Sequence, residues 1–477
     1  MRVLLLGLAT RVDIDELAYG IVYVSGALLH GGHEVKPIDL TADKKADDEL
    51  CYIIEEYKPD VIGFSGITTA YHNLKRLSKL FNERYPHIVQ IAGGVISCVD
   101  YLILKNTHVS IVCRGEGETT VNKLMTCLEN KDNLNTVPGI SYIEENEIQR
   151  TDSEKYIEDL DTLPFPPYHL FDINKYVNTK EKYLKWFQND TRYDSIPKNK
   201  RRVFNIKISR GCVGTCTFCY RHLHGYRRHS PEYVTDLMKF LYEKYDISLF
   251  IFGDELFVFN EVWIDKFLDC IKNKNLKVLF RINGARVDDA AEHLILKLKS
   301  AGCVAINFGF ESGSQKMLDV MKKRVKVEKN YNVIDILKRT GIASYPYIII
   351  GMPGEDNDTI KENINFVVHW GKPSKISFSI AQAFPKTWLW KYAIDNKLIE
   401  DEEKYILEYR DNTFINFTNE KDWVVKSWQS KIFHKASAKI ALSEGKYLVA
   451  IAHEIMLVIR LAYCFLKDKL SNRKKEI

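Results

Sequence analysis

The sequence predicts an α/β protein made of a doubly wound parallel sheet, a partial (βα)6 barrel and a C-terminal helical region. Short apolar segments alternate with amphipathic segments up to about residue 130, and they alternate again from Val203 onward. Such alternation is typical of parallel sheets whose strands are joined by helices. A Pro-rich hinge at residues 163–168 separates the two series. We therefore expect a first domain at 1–140, a linker at 141–202, a second domain at 203–395 and a helical region at 396–477.

The first series predicts a Rossmann-like sheet with a ligand at one edge. Strands are expected at residues 3–6, 35–38, 61–65, 89–92 and 109–113, with helices such as 21–30 and 71–85 between them. Ligands of doubly wound sheets bind at the carboxyl ends of the strands. Mostly small or hydroxylic residues are expected at that edge, where they let a bulky ligand approach the backbone. These candidates are Gly7, Ser65, Gly66, Thr68, Gly93, Gly94, Gly115 and Glu116.

The second series predicts six further strands, at residues 203–209, 249–252, 278–282, 304–308, 345–350 and 375–379. Six βα units are too few for a closed eight-fold TIM-type barrel, but they suit a partial one. In barrels of this type the site lies at the carboxyl ends of the strands. Residues from the second series that carry chemistry are therefore expected together at that end.

Composition places the chain among ordinary globular proteins. It has 477 residues, of which 45% are apolar and 27% charged, and its net charge of +5 does not favour a nucleic-acid partner. The apolar N-terminal run leads directly into acidic residues and is interpreted as a strand, not a signal peptide. The longest apolar candidate, residues 447–466, is interrupted by His453, Glu454 and Arg460. We therefore expect no transmembrane segment, a C-terminal helix docked on the core and a cytoplasmic location, where ten cysteines do not by default form disulfides.

Three cysteines lie directly after the first strand of the second series. Cys212, Cys216 and Cys219 have the spacing C-x3-C-x2-C, with small residues in the gap. A [4Fe–4S] cluster normally takes four cysteine ligands, so three would leave one iron open for another ligand. A zinc site is the alternative, because His222 and His224 follow closely and Cys3His is a common zinc ligand set.

These residues resemble the signature of the radical S-adenosylmethionine (SAM) enzymes. Phe218 occupies the aromatic position of that signature, and Gly253-Asp254-Glu255 resembles the family's Gly-Gly-Glu element, with Asp in place of the second Gly. The resemblance implies a [4Fe–4S] cluster on the three cysteines and SAM on the open iron. The residues that it implies as SAM contacts are Phe218, Gly253, Asp254, Glu255, Asn283, Arg286, Glu311, Ser312, Ile349 and Gly351.

The order of the two domains resembles the cobalamin-dependent branch of that family. Gly93-Gly94 and the segment from Arg114 to Glu118 match recurrent segments of the branch, so the first domain is expected to bind cobalamin at the edge described above. The D-x-H-x-x-G motif that supplies a cobalt-ligating histidine in many such domains is absent from the sequence. His72 is a weak substitute, and a degenerate domain without corrin is the alternative.

The resemblance implies methylation of an unactivated carbon. In this family the reduced cluster splits SAM into methionine and a 5′-deoxyadenosyl radical, which removes a substrate hydrogen, and the substrate radical takes the methyl group of methylcobalamin. The expected partners are a small-molecule or natural-product substrate and a flavodoxin- or ferredoxin-type electron donor. Two alternatives stay open, namely a radical SAM cyclase or rearrangement enzyme without net methyl transfer, and a zinc- or corrinoid-binding protein without turnover.

Overall fold

A computed structural model gives the structure of residues 1–10, 16–223, 225–408 and 414–473. Its N-terminal half contains a seven-stranded sheet of order β2-β1-β3-β4-β5-β6-β7, in which the first five strands are parallel. The strands are β1 (Arg2–Gly7), β2 (Glu34–Asp39), β3 (Val61–Ser65), β4 (Val89–Gly93), β5 (Ile111–Cys113), β6 (Ile140–Glu144) and β7 (Glu147–Arg150). Five helices accompany them: α1 (Tyr19–His30), α2 (Asp47–Tyr57), α3 (Tyr71–Arg84), α4 (Asp100–Asn106) and α5 (Gly117–Asn130).

The antiparallel hairpin β6–β7 extends this sheet beyond the residues that the alternating pattern predicts. Glu145 and Asn146 make its turn with positive φ angles of 50° and 66°, and β6 pairs with β5. The sheet therefore continues to Arg150, past the expected domain boundary at residue 140, and the domain limits stay a prediction.

The segment between the two sheets packs against both of them. It contains α6 (Glu181–Gln188) and several short 3₁₀ turns. Phe187 of α6 is fully buried in a cluster with strand residues of the second sheet. Leu163 and Tyr168, from the Pro-rich hinge, share a core cluster with Tyr19 and Tyr23 of α1 and with barrel residues. This segment thus fastens the two halves together through buried apolar contacts.

The second sheet is a six-stranded parallel half-barrel of order β15-β14-β13-β12-β11-β8, which confirms the prediction. Its strands, together with a two-stranded ribbon β9–β10, are β8 (Val203–Ile206), β9 (Ser209–Arg210), β10 (Arg227–Arg228), β11 (Leu249–Phe252), β12 (Leu279–Ala285), β13 (Cys303–Glu311), β14 (Tyr347–Ile350) and β15 (Ser377–Ile380). The connecting helices are α7 (Pro231–Tyr245), α8 (Glu261–Asn273), α9 (Glu292–Ser300), α10 (Gln315–Val320), α11 (Val327–Thr340) and α12 (Asn357–Trp370).

Local sequence explains these elements. All four residues of β11 are buried, as expected for a parallel strand covered on both faces. Helix α7 begins after Ser230, whose side chain accepts a hydrogen bond from the Tyr233 amide at 3.1 Å, and Pro231 occupies its first turn. Both residue types are preferred at these positions of a helix.

The described residues after the half-barrel form four helices: α13 (Trp388–Asp395), α14 (Glu402–Glu408), α15 (Asp422–Ser443) and α16 (Tyr447–Arg473). Helix α14 returns to the N-terminal sheet, where Glu403 accepts hydrogen bonds from Tyr71 and Lys75 of α3, each at 2.7 Å. Helix α15 packs on the half-barrel through Trp428 and Ile432, which are fully buried. The C-terminal region therefore braces both halves of the molecule.

Helix α16 differs from the expectation that it docks on the core. Ala450 and Leu457 are buried, but most of its apolar side chains are exposed to solvent. In the part of the chain that the structure describes, residues Tyr447–Leu470 form one helix that is long and apolar enough to cross a membrane. Length and composition alone do not show a membrane span, but the prediction of core docking is wrong for most of this helix.

Candidate functional site

The three cysteines of the C-x3-C-x2-C motif lie on the loop between β9 and β10, at the carboxyl end of β8. The ribbon pairs Arg227 with Arg210 and closes the loop at its base. Gly211 has a φ of 76°, and a Cβ there would lie 2.5 Å from the Gly225 carbonyl oxygen. Only glycine allows this close return of the chain. The loop therefore holds its cysteines in a compact turn at the barrel mouth.

The surroundings of the sulfurs fit a bound metal cluster. The Gly214 amide donates to Cys212 Sγ at 3.3 Å, and a Cβ on Gly214 would lie 3.7 Å from Cys216 Sγ. The protein atoms around Cys219 raise the pKa of its thiol to about 12, although the residue is open to solvent. Burial also raises the pKa of Cys216, and Lys323 and Arg286 oppose that shift. Thiols that burial keeps protonated become thiolates when a metal replaces the proton.

The zinc alternative gains no support from the residues that the structure describes. Among them, no three Cys, His, Asp or Glu side chains are close enough to hold one metal ion. His222 Nε2 lies 3.0 Å from the Gly115 carbonyl oxygen, and burial lowers the pKa of its imidazole. His224 lies outside the described residues. A cubane spreads its ligands over separate iron atoms, so a cluster loop does not have to bring three sulfurs onto one ion.

The Gly-Asp-Glu element follows β11 and lies beside the cysteine loop. A Cβ at Gly253 would lie 2.3 Å from Asn205 Oδ1, so the Asn205 side chain would have to move to admit a larger residue. Asp254 Oδ1 accepts hydrogen bonds from the Ile208 and Ser209 amides at 2.8 and 2.7 Å, and burial raises the pKa of this carboxyl to about 6. The Asp that departs from the family pattern thus anchors the backbone that leads into the cysteine loop.

Glu255 and Asp254 both reach the wall of an interdomain cavity. Burial raises the pKa of the Glu255 carboxyl, and Lys207 opposes this shift. The Glu255 side chain is accessible because it opens into the cavity, although protein atoms surround it. The second carboxylate oxygen of Asp254 is buried without a hydrogen-bond partner. Both features fit a polar ligand, such as the amino group of SAM.

The remaining residues that the resemblance implies for SAM divide into two groups. Asn283, at the end of β12, accepts hydrogen bonds from Arg281 at 2.8 Å and Asn307 at 3.0 Å. Arg286 pairs with Asp288 at 2.7 Å. Its guanidinium also lies beside the cysteine loop, 3.1 Å from a Cβ placed on Gly214. Arg286 therefore lies near the loop, and both Asn283 and Arg286 already have protein partners.

The second group consists of residues on or just after β13 and β14, together with Phe218 of the cysteine loop. Glu311 has a positive φ of 63° and accepts a hydrogen bond from buried Lys323 at 2.7 Å. Burial lowers the pKa of Lys323, but Glu311 and Cys216 together raise it above its ordinary value. Ser312 is fully buried and hydrogen-bonds to Asn363, so its side chain is structural. Ile349 and Phe218 are half-buried against the apolar cluster that joins α3 and α13, and Gly351 has a φ of 86°.

The cavity has a volume of about 510 Å³ and lies between the N-terminal sheet and the half-barrel. Seven of the eight residues predicted to contact cobalamin line it, and the exception is Thr68. The residues from the N-terminal side are Gly7, Ser65, Gly66, Gly93, Gly94, Gly115 and Glu116. The half-barrel contributes Lys207, Ser209, Arg210, Asp254 and Glu255 to the same cavity. Candidate residues of both domains thus meet around one space.

Glu116 belongs to a buried ion cluster that connects the two domains. Its carboxylate accepts hydrogen bonds from Arg210 at 2.9 Å and from Arg227 at 2.8 Å, while Arg210 also pairs with Glu118 at 2.6 Å. Burial alone would raise the pKa of Glu116, but the hydrogen bonds from Arg227 and Arg210 hold it below its ordinary value. Glu116 lines the cavity, but Arg210 and Arg227 already neutralise its negative charge.

Sequence reasoning missed Arg210 and Arg227. Two features of the sequence could have indicated their ion pairs with Glu116. Arg210 directly precedes the cysteine loop, and the acidic segment Glu116–Glu118 lies at the predicted ligand edge. His72, the weak substitute for a cobalt ligand, has its Nδ1 3.1 Å from the Thr69 carbonyl oxygen and does not line the cavity. The substitute role therefore has no structural support.

Comparison with known proteins identifies both domains. Residues 206–367 match the sequence model of the radical SAM superfamily, and residues 6–125 match that of the B12 binding domain. The anaerobic magnesium-protoporphyrin IX monomethyl ester cyclase of Rubrivivax gelatinosus is 28% identical over 395 residues, which cover 81% of this chain and 68% of the relative. An uncharacterized methyltransferase of Pyrococcus horikoshii is 26% identical over 388 residues, 80% of this chain and 79% of the relative.

A solved structure shares the architecture. This structure is that of OxsB, a cobalamin-dependent SAM radical enzyme solved with aqua-cobalamin and SAM bound. The two structures match with a TM-score of 0.71 at 17% sequence identity, and the match covers 96% of this chain and 71% of the OxsB chain. The likeness confirms the predicted fold class. The two domain matches confirm the predicted cofactors, namely a [4Fe–4S] cluster, SAM and cobalamin.

Proposed function

This chain is a cobalamin-dependent radical SAM enzyme, and we propose that it methylates an unactivated carbon of a small molecule. The observation that carries the proposal is the cavity of about 510 Å³ that the two domains share. It brings the edge of the N-terminal sheet and the Gly-Asp-Glu element into one space. A methyl carrier and a radical source must both reach the same substrate carbon, and a shared cavity provides for this.

The cofactors carry the difficult chemistry, and the protein binds and orients them. When bound, the cluster and SAM supply the radical and cobalamin supplies the methyl carrier. The work of this chain is to hold them at the domain junction and to keep water and oxygen out. The buried ion cluster of Glu116, Arg210 and Arg227 serves this purpose, because it fastens the cysteine loop to the ligand edge of the N-terminal sheet.

Specific residues are proposed for each cofactor. We assign the iron ligands to Cys212, Cys216 and Cys219. We assign the amino group of SAM to Glu255, since its carboxylate opens into the cavity. Glycines at the strand ends, such as Gly7 and Gly93, leave room for the corrin. Glu116, Asp254 and Ser312 are instead proposed as positioning residues, because their side chains are engaged by protein groups.

Labelled SAM tests the proposal. The anaerobically reconstituted enzyme is incubated with candidate substrates, reductant and SAM that carries a deuterated methyl group. Methylation predicts a product with three deuterium atoms, together with both 5′-deoxyadenosine and S-adenosylhomocysteine. The Cys216→Ala variant should lose both nucleoside products, whereas Cys270→Ala, on the distant α8, should keep them. Unlabelled product would reject methyl transfer.

Oxidative cyclisation is the second candidate, because the Rubrivivax relative bears the name of a cyclase. This function predicts 5′-deoxyadenosine without S-adenosylhomocysteine and a product that lacks the label. The two nucleosides can be measured in the same reaction. Their ratio therefore separates the two candidates before the product is identified.

The electron source and the location complete the proposal. A small-molecule substrate fits a radical SAM domain, and we propose a natural product as the finer class. Flavodoxin- or ferredoxin-type donors match the low potential that cluster reduction requires. We propose a cytoplasmic location, where such donors are found. Reconstitution with reduced flavodoxin in place of a chemical reductant should support turnover, and failure with both donor types would reject this assignment.

A further inference from the structure

Three polar residues of α16, namely His453, Glu454 and Asp468, contact polar side chains of α15. Glu454 pairs with Lys435 of α15 at 2.7 Å, and His453 Nδ1 lies 3.1 Å from His434 Nδ1. Toward the other end, Asp468 lies 3.8 Å from Lys426. The polar residues His453 and Glu454, which interrupt the apolar sequence, are therefore used in the contact with α15.

The opposite face of α16 is apolar and exposed. Between Tyr447 and Ile459 the only charged residue is Glu454, which is 45% exposed and is paired with Lys435 of α15. Leu448 is 83% exposed, and the outward side chains are more than a third exposed throughout. They are Leu448, Ile451, Ile455, Met456, Val458, Ile459, Tyr463, Leu466 and Leu470. Contiguous exposed apolar surface of this kind marks an interaction site.

Positive charge accompanies this face toward the C-terminal end of the helix. Arg460 and Lys467 are exposed on α16, and the sequence continues with further basic residues. Basic residues beside an apolar helical face attract anionic lipid headgroups, by about 1 kcal/mol for each Lys or Arg near the surface. We propose that the outer face of α16 docks on a bilayer surface that contains anionic phospholipid.

The helix lies in the plane of the membrane surface and does not cross it. Trp423 of α15 and Phe465 of α16 have ring centroids 5.5 Å apart, and Ala438, Ala441 and Ala450 form a small buried cluster between the helices. A spanning helix would have to break these contacts and carry Glu454 into the hydrocarbon without Lys435. An interfacial helix keeps them and immerses only its outward apolar face.

A second copy of the chain is a poorer occupant. Residues Tyr447–Leu470 number 24, which gives a helix about 36 Å long and about 10–12 Å wide. The curved outer half of this cylinder is thus roughly 600 Å², which is less than the roughly 800 Å² of surface that each partner buries in a standard stable interface. Binding to a bilayer requires no such minimum contact area, because lipids can pack around a single helix. This inference does not depend on the proposed reaction.

Vesicle flotation tests the proposal with the full chain. Anaerobically purified protein is mixed with vesicles of phosphatidylcholine, or of phosphatidylcholine with about 30% phosphatidylglycerol. We expect it to float with the anionic vesicles and to bind the neutral ones at least 10-fold more weakly. Ile451→Ser/Ile455→Ser should weaken binding to anionic vesicles at least about 10-fold, from the loss of two apolar side chains. Val262→Ser, an exposed apolar residue of α8, is the matched control and should bind like the wild type.

Charge is tested separately. Lys467→Glu/Lys469→Glu should bind anionic vesicles at least about 30-fold more weakly, because two lost attractions of about 1 kcal/mol each already predict that factor and the new carboxylates add repulsion. The control Lys266→Glu/Lys272→Glu, on the exposed surface of α8, should not. The proposal is overturned if the wild type floats with neither vesicle, or if the α16 variants float like the wild type. It is also overturned if the wild type is instead a dimer by light scattering that Ile451→Ser/Ile455→Ser dissociates.

Discussion

Replacing Glu116 by Gln removes the carboxylate that Arg210 and Arg227 share across the domain junction. The Glu116 side chain is 3% exposed, and those of Arg210 and Arg227 are 14% and 12% exposed. Removing one partner of a buried ion pair costs about 3–5 kcal/mol, because the remaining charge stays buried. Glu118 still compensates Arg210 at 2.6 Å. We therefore expect Glu116→Gln to lower the free energy of unfolding by about 2–3 kcal/mol.

Urea unfolding of the anaerobic apoprotein measures this loss. Glu292→Gln is the matched control, because Glu292 pairs with Arg339 at the exposed surface and its loss should change little. The low pKa of Glu116 means that its stabilisation is present above the ordinary carboxyl pKa and disappears as the pH falls through the folded value. The gap between wild type and Glu116→Gln should therefore begin to shrink as the pH falls below the ordinary carboxyl value of about 4.3. A gap of zero at neutral pH, or one that is unchanged down to pH 3, would refute the reasoning.

Three further predictions follow from single residues. Cys216→Ala should purify without the iron and sulfide of the wild type, whereas Cys270→Ala should keep both; equal iron in the two would contradict the ligand assignment. Gly253→Ala places a Cβ 2.3 Å from Asn205 Oδ1 and should lower the unfolding free energy by about 1–3 kcal/mol in urea. Burial raises the pKa of the Glu355 carboxyl to about 7, so the folded state binds the carboxyl proton more tightly than the unfolded state does. The stability that this protonation contributes is lost as the pH rises through 7. Glu355→Gln should thus be more stable than the wild type at pH 8 but not at pH 5, and an unchanged urea midpoint at pH 8 would argue against this.

The strands and the cysteine loop were predictable because their signals are local. Runs such as β11 are apolar over their whole length, and the expected strand positions agree with the structure to within a few residues. The cysteine spacing is likewise contained in eight residues. The antiparallel hairpin β6–β7 was not predicted, because β7 has one partly buried residue and no buried ones, so it carries little hydrophobic signal.

The roles of charged side chains were harder to predict, because their partners are far away in sequence. Glu116 lies 94 residues from Arg210, and Glu311 lies 12 residues from Lys323. A sequence shows that such residues are charged, but it does not show that another part of the chain neutralises them. The same holds for α16, whose composition does not show which face α15 covers. The prediction of a core-docked helix failed for that reason.

The pairing of Glu116 and Glu118 with Arg210 also constrains the engineering of chimeras. The acidic residues belong to the N-terminal sheet domain and the arginine to the half-barrel. A graft that exchanges one domain with a relative must therefore carry matching residues on both sides of the seam. If it does not, the recipient inherits an uncompensated guanidinium or carboxylate beside its cofactor cavity, even when each transplanted half is intact.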